Sequence, residues 1–231
     1  MALPIEIFAD RGALMQAAAA KLGAALRAGL TARGAAAAAL SGGTTPAPAY
    51  EKLAESPLDW PRVTFALVDE RWVPPSDPSS NEGMLRRTLK PALEQGAALL
   101  PMWSKTPNHI AGAEAAEAAH AALNLDVALL GMGGDGHTAS WFPGSPQLSE
   151  ALNLASQRSM VAVEAPGAAG TSQRLTLSFA AVARARSLIL LITGEDKRAR
   201  LEEASRQQPH EAPIAAILRA CADRLTILWA A

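Results

Sequence analysis

The chain has 231 residues, with 21 basic and 22 acidic side chains and a formal net charge of -1, a balance that leaves no footprint for a nucleic-acid backbone, so any anion bound is expected to be small. Cys221 is the only cysteine, which excludes an internal disulfide framework and a cysteine-built zinc cage and fits a cytoplasmic setting. At this length, an apolar fraction of 49% can fill two small cores or one large α/β core.

The N-terminal stretch MALPIEIFADRGALMQ places Glu6 and Asp10 ahead of its first basic residue, Arg11, the wrong charge order for a secretory or mitochondrial leader. IEIF reads as a strand, and a helix is expected from Arg11 to about Leu30. AAAAAL, Ala35 to Leu40, is the next short apolar run, although alanine raises helix propensity and hides periodicity there. A helix then opens near Pro46, VTFALVD ends at Asp69, and a Pro- and Ser-rich loop reaches Asn81 before the helical EGMLRRTL. The theme continues with AALLPMW, the helix AEAAEAAHAALN, DVALLGM, MVAVEA, RLTLSF, SLILLIT, the helix EDKRARLEEA, the helix-patterned PIAAILRACA and a terminal RLTILWA. The strongest apolar run, SLILLIT, falls far short of the roughly 20 residues that span a bilayer, so no membrane role is indicated. Strands alternating with helices predict a mostly parallel sheet flanked by helices. With no linker, charge block or internal repeat, residues 1–231 are expected to form a single Rossmann-like α/β domain, with a small antiparallel excursion around Ser159 to Ser178.

In such sheets ligands bind beyond the carboxyl ends of the strands, and three strand ends stand out. In LSGGTTPAPAY, Gly42 and Gly43 allow close backbone approach to a ligand, Thr44 or Thr45 can cap a helix, and Pro46 suits a first helical position. Free amides at a helix start favour an anion such as phosphate, although an ordinary capped turn fits the same residues. In VDERWVPPSDPSSN, three charged groups end a strand and a long polar loop follows; Arg71 has the fork geometry for a phosphate or carboxylate. A surface ion-pair cluster explains that stretch equally well.

The third end is GMGGDGHTASWFPG, whose Gly131, Gly133 and Gly136 match the spacing of a dinucleotide turn. That reading requires a helix at the last glycine and an acid closing the next strand about 20 residues on. Instead Pro143, Gly144 and Pro146 interrupt any long helix, and the nearest strand-end acid, Glu164, comes late. What remains is a turn holding Asp135 beside His137, a carboxylate able to fix the tautomer of an imidazole base. Asp-Gly is also a favoured turn pair, which would give Asp135 only a backbone-capping role.

LSGGTTP, DERWVP with SN shortly after, and GMGGDGHTASWFPG, in that order, resemble the 6-phosphogluconolactonases, which share a fold with glucosamine-6-phosphate deaminases and, more distantly, ribose-5-phosphate isomerases. The similarity extends to QRLTLSF, to TGEDKRARL with its Gly-x-x-Lys, and to the Pro-Ile-Ala-Ala segment, so nearly the whole chain is covered. The resemblance implies a sugar-phosphate isomerase/deaminase-like fold and hydrolysis of 6-phospho-D-glucono-1,5-lactone to 6-phosphogluconate, the second step of the oxidative pentose phosphate pathway. It implies catalysis by His137 and Asp135, and substrate binding by Ser41, Gly42, Gly43, Thr44, Thr45, Asp69, Arg71, Asn81, Arg174 and Lys197. The turn from Gly133 to Gly136 supplies amides that could face the developing oxyanion. No metal or cofactor is implied, and His109, His120, His137 and His210 show no metal-ligand spacing. The only partner implied is the small sugar-phosphate lactone, with no nucleic acid and no membrane, for a monomer or small homo-oligomer.

Two rival readings remain. Deaminases of this fold carry Asn-Glu-Pro where this chain has Trp141-Phe142-Pro143-Gly144, and an apolar side chain there cannot shuttle a proton. A non-catalytic sugar-phosphate sensor would be expected to carry a DNA-binding segment, for which the chain leaves no room ahead of its first strand. Ser140 lies near the base but not in a nucleophile elbow, so direct attack by water ranks above an acyl-enzyme. The five tryptophans read as core or rim packing; Trp72 and Trp141 fall in the site loops, where they would shield the reaction from bulk water. Cys221, in a helical pattern with no activating cation evident, reads as a small buried hydrophobe.

Overall fold

A computed structural model describes residues 3–167 and 171–231. Seven strands form one all-parallel sheet: β1 (Ile5–Ile7), β2 (Ala36–Leu40), β3 (Val63–Leu67), β5 (Ala98–Leu100), β6 (Val127–Leu130), β9 (Ser187–Thr193) and β10 (Leu225–Ala230), in the order β1-β10-β9-β6-β2-β3-β5. Every residue of β2 and of β6 is buried. Successive strand residues point to opposite faces, so the sheet is covered on both sides, which accounts for unbroken apolar runs where alternation would otherwise appear.

Capping side chains begin several of the helices. In α1 (Arg11–Arg33), Asp10 accepts from the amide of Ala13 at 2.8 Å, and Gly34 ends the helix in the left-handed region at φ 71°. Asn108 caps α5 (His109–Ala121) in the same way. At α2 (Ala47–Ala54) the expected hydroxyl cap is absent: Pro46 occupies the cap position and no side chain bonds there, so neither Thr44 nor Thr45 caps the helix. The alanine tract folds as β2 because it lies in register between β3 and β6, where small side chains let helices pack closely above and below.

A second, antiparallel sheet has the order β4-β8-β7, from β4 (Asp69–Arg71), β7 (Met160–Glu164) and β8 (Gln173–Leu177). The hairpin β7–β8 is the expected antiparallel excursion; residues 168–170 within it lie outside the described residues. Asp69–Arg71 does not end the strand before it, as the sequence suggested. The chain leaves the parallel sheet at Val68, whose amide still bonds Leu40 O (3.0 Å) while its carbonyl accepts from Leu177 N (2.8 Å), and then forms a strand of the second sheet. Among the described residues no helix is long and apolar enough to cross a membrane.

Candidate active site

Strand order fixes where a ligand can enter. From β2 the chain steps to β3 and β5 on one side, then returns to place β6 on the other, so the order reverses between neighbours β2 and β6. Loops diverge at such a reversal and leave a crevice at the carboxyl ends of the strands. A cleft of about 250 Å³ lies there, lined by Ser41, Gly42, Gly43 and Thr45 after β2, by Gly131, Gly133, His137 and Phe142 after β6, by Thr193 and Lys197 after β9, and by Asp69, Arg71, Asn81 and Arg174. Of the residues that sequence placed in a site, only Thr44 and Asp135 are not in the lining.

Asp135 stands behind His137. Its Oδ1 is 2.6 Å from His137 Nδ1 and accepts from the His137 amide at 3.0 Å. Partial burial would raise the Asp135 carboxyl, but the hydrogen bonds from the His137 ring and amide outweigh it and hold the pKa at about 2. The carboxylate therefore stays ionised at neutral pH, fixing the proton on Nδ1 and leaving Nε2 as the nitrogen free to take one. The Phe142 ring lies 4.3 Å from the imidazole, centroid to centroid, and restricts its plane. Gly133 permits the arrangement, since a Cβ there would overlap the His137 ring and crowd Asp135 Oδ1.

The turn amides are not free to face an oxyanion as a set. Gly133 N donates to His137 O (2.8 Å) and Gly136 N to Gly133 O (3.1 Å), so the turn consumes both. On the outer side, Arg200 of α8 (Glu195–Ala204) donates to Gly134 O (3.2 Å) and Asp135 O (2.8 Å).

The opposite wall is cationic. Side chains alternate along β4, so Asp69 and Arg71 share the cleft face and Glu70 points away from it. Across the antiparallel pairing Arg71 is directly opposite Arg174. Two like charges in register destabilise a sheet unless an anion offsets them. Burial lowers the Arg174 pKa; the nearby Asp69 carboxylate raises it and Arg71 lowers it again. Arg174 Nε bonds Thr171 O at 3.0 Å, and its guanidinium lies 5.8 Å from the centre of the Phe142 ring. Arg71 Nη1 donates to Ser79 O and to Asn81 Oδ1 (2.9 Å). Asn81 Nδ2 in turn holds Asp69 O (2.8 Å), and Gly42 is without a side chain because the Asn81 carboxamide occupies that space. The first glycine of the β2 turn thus accommodates a neighbouring side chain, while Gly43 supplies a left-handed φ of 97°.

Glu70, read in the sequence only as one of three charges at a strand end and not as a site residue, organises this wall. Fully buried, it accepts four hydrogen bonds, from the amides of Arg71 (2.7 Å), Asn81 (2.8 Å) and Glu82 (2.7 Å) and from the Ser80 hydroxyl (2.9 Å). Its carboxylate therefore sits on the amino end of α3 (Asn81–Thr88), where the helix dipole favours it. Burial raises its pKa and these donors draw it back. Glu70→Gln keeps the shape but turns an amide toward N–H donors. We expect it to cost about 2 kcal/mol and lower the melting temperature by about 4–8 °C in a calorimetric scan.

Ser140 is engaged elsewhere, in line with the ranking of water above an acyl-enzyme, whereas Trp72 and Trp141 do not shield the cleft. Buried Ser140 donates to Asp69 Oδ2 at 2.7 Å, engaging its hydroxyl away from any nucleophilic attack. Trp141 does not screen the cleft: it is fully buried, with Nε1 donating to Leu177 O at 2.9 Å and its ring edge-on to Phe179. Trp72 packs on Trp103 at 6.2 Å, also outside the lining, and Phe142 is the aromatic residue at the site. His109 is buried with Nε2 3.3 Å from Glu164, and His120 bonds Ala116 O at 2.9 Å; both serve packing. Buried Cys221 follows α9 (Ile214–Ala220), and a cation does reach it, Arg224 Nη2 at 3.7 Å from Sγ, although burial still raises its pKa.

Residues 9–229 match the family model for glucosamine-6-phosphate isomerases/6-phosphogluconolactonase. A Caulobacter vibrioides protein named 6-phosphogluconolactonase is 41% identical over 229 residues, which cover 99% of this chain and 97% of that protein. A Rhizobium meliloti protein of the same name is 41% identical with full coverage of both chains. The solved 6-phosphogluconolactonase of Shewanella baltica superposes with a TM-score of 0.92 at 33% identity, covering 100% of this chain and 98% of that one. A parallel sheet reversing between β2 and β6, a carboxylate-held imidazole facing paired arginines, and agreement with these proteins over the full length place the chain in the glucosamine-6-phosphate isomerase/6-phosphogluconolactonase family.

Proposed function

We propose that residues 1–231 act as one 6-phosphogluconolactonase unit in the cytoplasm, hydrolysing 6-phospho-D-glucono-1,5-lactone to 6-phospho-D-gluconate. The observation that carries the reading is one cleft lined on one side by His137, backed by Asp135 at 2.6 Å, and on the other by the paired Arg71 and Arg174. The substrate has matching ends, a dianionic phosphate and an ester carbonyl.

In this reading the phosphate lies between Arg71, Arg174 and Lys197 and the turn from Ser41 to Thr45, with Asp69 and Asn81 holding the arginines in place. The phosphate fixes the sugar so that the lactone carbonyl reaches His137. Nε2 takes a proton from a water as the water oxygen adds to the carbonyl carbon, and Asp135 stabilises the imidazolium. Collapse of the tetrahedral intermediate breaks the bond to the ring oxygen, which receives that proton from Nε2. A δ-lactone is already a reactive ester, so a positioned base worth roughly 10²–10⁴-fold, with orientation through the phosphate, is sufficient.

The test is acid release from freshly prepared 6-phosphogluconolactone, corrected for spontaneous hydrolysis, beside ammonia release from glucosamine 6-phosphate. Acid release above background without ammonia is expected; ammonia release alone would overturn the reading. Phe142 argues against deamination, since its ring covers His137 at the position where deaminases carry a glutamate. Arg174→Met is expected to raise KM for the lactone about tenfold while kcat changes less, because a charge-assisted contact made equally in ground and transition states is lost. Steady-state kinetics at low and high salt check this, the difference shrinking as salt screens the site.

A further inference from the structure

We propose that Arg200 is a positioning residue for this reaction, clamping the turn that presents Asp135 and His137; the proposal rests on the reading of His137 as the base. A turn with two central residues turns their carbonyls outward, where it cannot satisfy them itself. In Gly133-Gly134-Asp135-Gly136, closed by the bond from Gly136 N to Gly133 O at 3.1 Å, those outward carbonyls belong to Gly134 and Asp135. Arg200 takes both, Nε to Gly134 O at 3.2 Å and Nη2 to Asp135 O at 2.8 Å. The planar guanidinium presents these donors in fixed geometry, so it sets the orientation of the two peptide planes as well as their distance. Ile214 N donates to Gly136 O at 3.0 Å and Gly133 N to His137 O at 2.8 Å, so every carbonyl from Gly133 to His137 is held.

The clamp is itself held. Arg200 Nη1 donates to Gln207 Oε1 at 2.7 Å and lies 3.2 Å from Glu203 Oε2, with the side chain only 16% exposed. Glu203 offsets the positive charge, so the contribution of Arg200 is chiefly geometric. That geometry matters because the Asp135 carboxylate and the His137 ring both hang from the clamped segment, whose peptide planes set where the carboxylate meets the His137 amide (3.0 Å) and Nδ1 (2.6 Å). Asp135 is half exposed, and a small rotation of its peptide would carry Oδ1 away from Nδ1. Misplacing a catalytic group by about 1 Å can cost roughly 10²-fold in rate.

Arg200→Ala and Arg200→Lys test the proposal, with three readouts that a purely structural role would not move together. For Arg200→Ala we expect kcat to fall roughly 10- to 100-fold with KM for the lactone within about threefold of wild type, because the phosphate wall is untouched. Arg200→Lys, keeping the charge but not the fork, should lie between the two. Methylguanidinium at non-denaturing concentration should restore part of the activity of Arg200→Ala and none to His137→Ala. The downfield proton resonance of His137 Nδ1–H bonded to Asp135 should be present in wild type and shift upfield or broaden in Arg200→Ala. Wild-type kcat in a folded Arg200→Ala, or an unchanged Nδ1–H resonance, overturns the proposal. Should Arg200→Ala fail to fold, Arg200→Lys decides it, wild-type kcat there being equally fatal. Full activity of His137→Ala would remove the base reading, whereas an inactive His137→Ala with an unimpaired Arg200→Ala would remove only the clamp.

Discussion

His137→Ala is expected to lower kcat for 6-phosphogluconolactone by roughly 10²–10⁴-fold while leaving KM nearly unchanged. The imidazole, the base of the proposed reaction, lines the cleft with its Nδ1 committed, at 2.6 Å, to a carboxylate held at a pKa of about 2. In that reaction its removal would leave water without an acceptor but keep Arg71, Arg174 and the β2 turn, so substrate is still expected to bind. Its loss should not destabilise the fold, because the ring is a third exposed and its main partners, Asp135 and Phe142, belong to the site. Acid-release kinetics, together with a binding measurement using 6-phosphogluconate, check both halves. A variant that binds product normally yet hydrolyses at the wild-type rate would exclude His137 as the base.

Gly133→Ala, the addition of one methyl group, is expected to lower kcat by roughly 10²-fold. The Cβ would occupy the place of the His137 ring edge, and the nearest alternative space already holds Asp135 Oδ1. Either the ring rotates away from the carboxylate or the turn opens; in both cases the short Nδ1–Oδ1 contact is lost. Because Gly133 N also closes the turn onto His137 O at 2.8 Å, backbone adjustment is the costlier route and the ring should yield first. The kinetic signature is then a fall in kcat with KM nearly unchanged, since the arginines and the β2 turn are untouched. An unchanged rate would mean that the turn tolerates the displacement and that the ring position is not critical.

Glycines and polar residues at strand ends were legible because they interrupt apolar runs. Gly42, Gly43, Asp135 and His137 announced themselves in that way, and adjacency of β2 and β6 brought Gly42, Gly43 and His137 into one cleft, with Asp135 behind the imidazole. Asp69–Arg71 was harder to read, for a three-residue strand carries too short an alternation to separate from a loop. Read as the charged end of the preceding strand, it was not given a strand of its own, whose period of two assigns Asp69 and Arg71 to one face and Glu70 to the other. Arg200 left no local signal, since its acceptors lie 65 and 66 positions earlier and are backbone carbonyls, identical in every residue type. Phe142 and Trp141 are neighbours in sequence with opposite fates, and only the seat for Trp141 beneath Leu177 O and Phe179 decides which is withdrawn from the cleft.

The two walls of the cleft hang on different sheets, joined where Ser140 bonds Asp69 (2.7 Å) and Trp141 bonds Leu177 (2.9 Å). Those bonds tie the guanidinium wall to the segment that carries the imidazole. With the phosphate seated as proposed, a sugar one carbon shorter is expected to hold its carbonyl farther from His137.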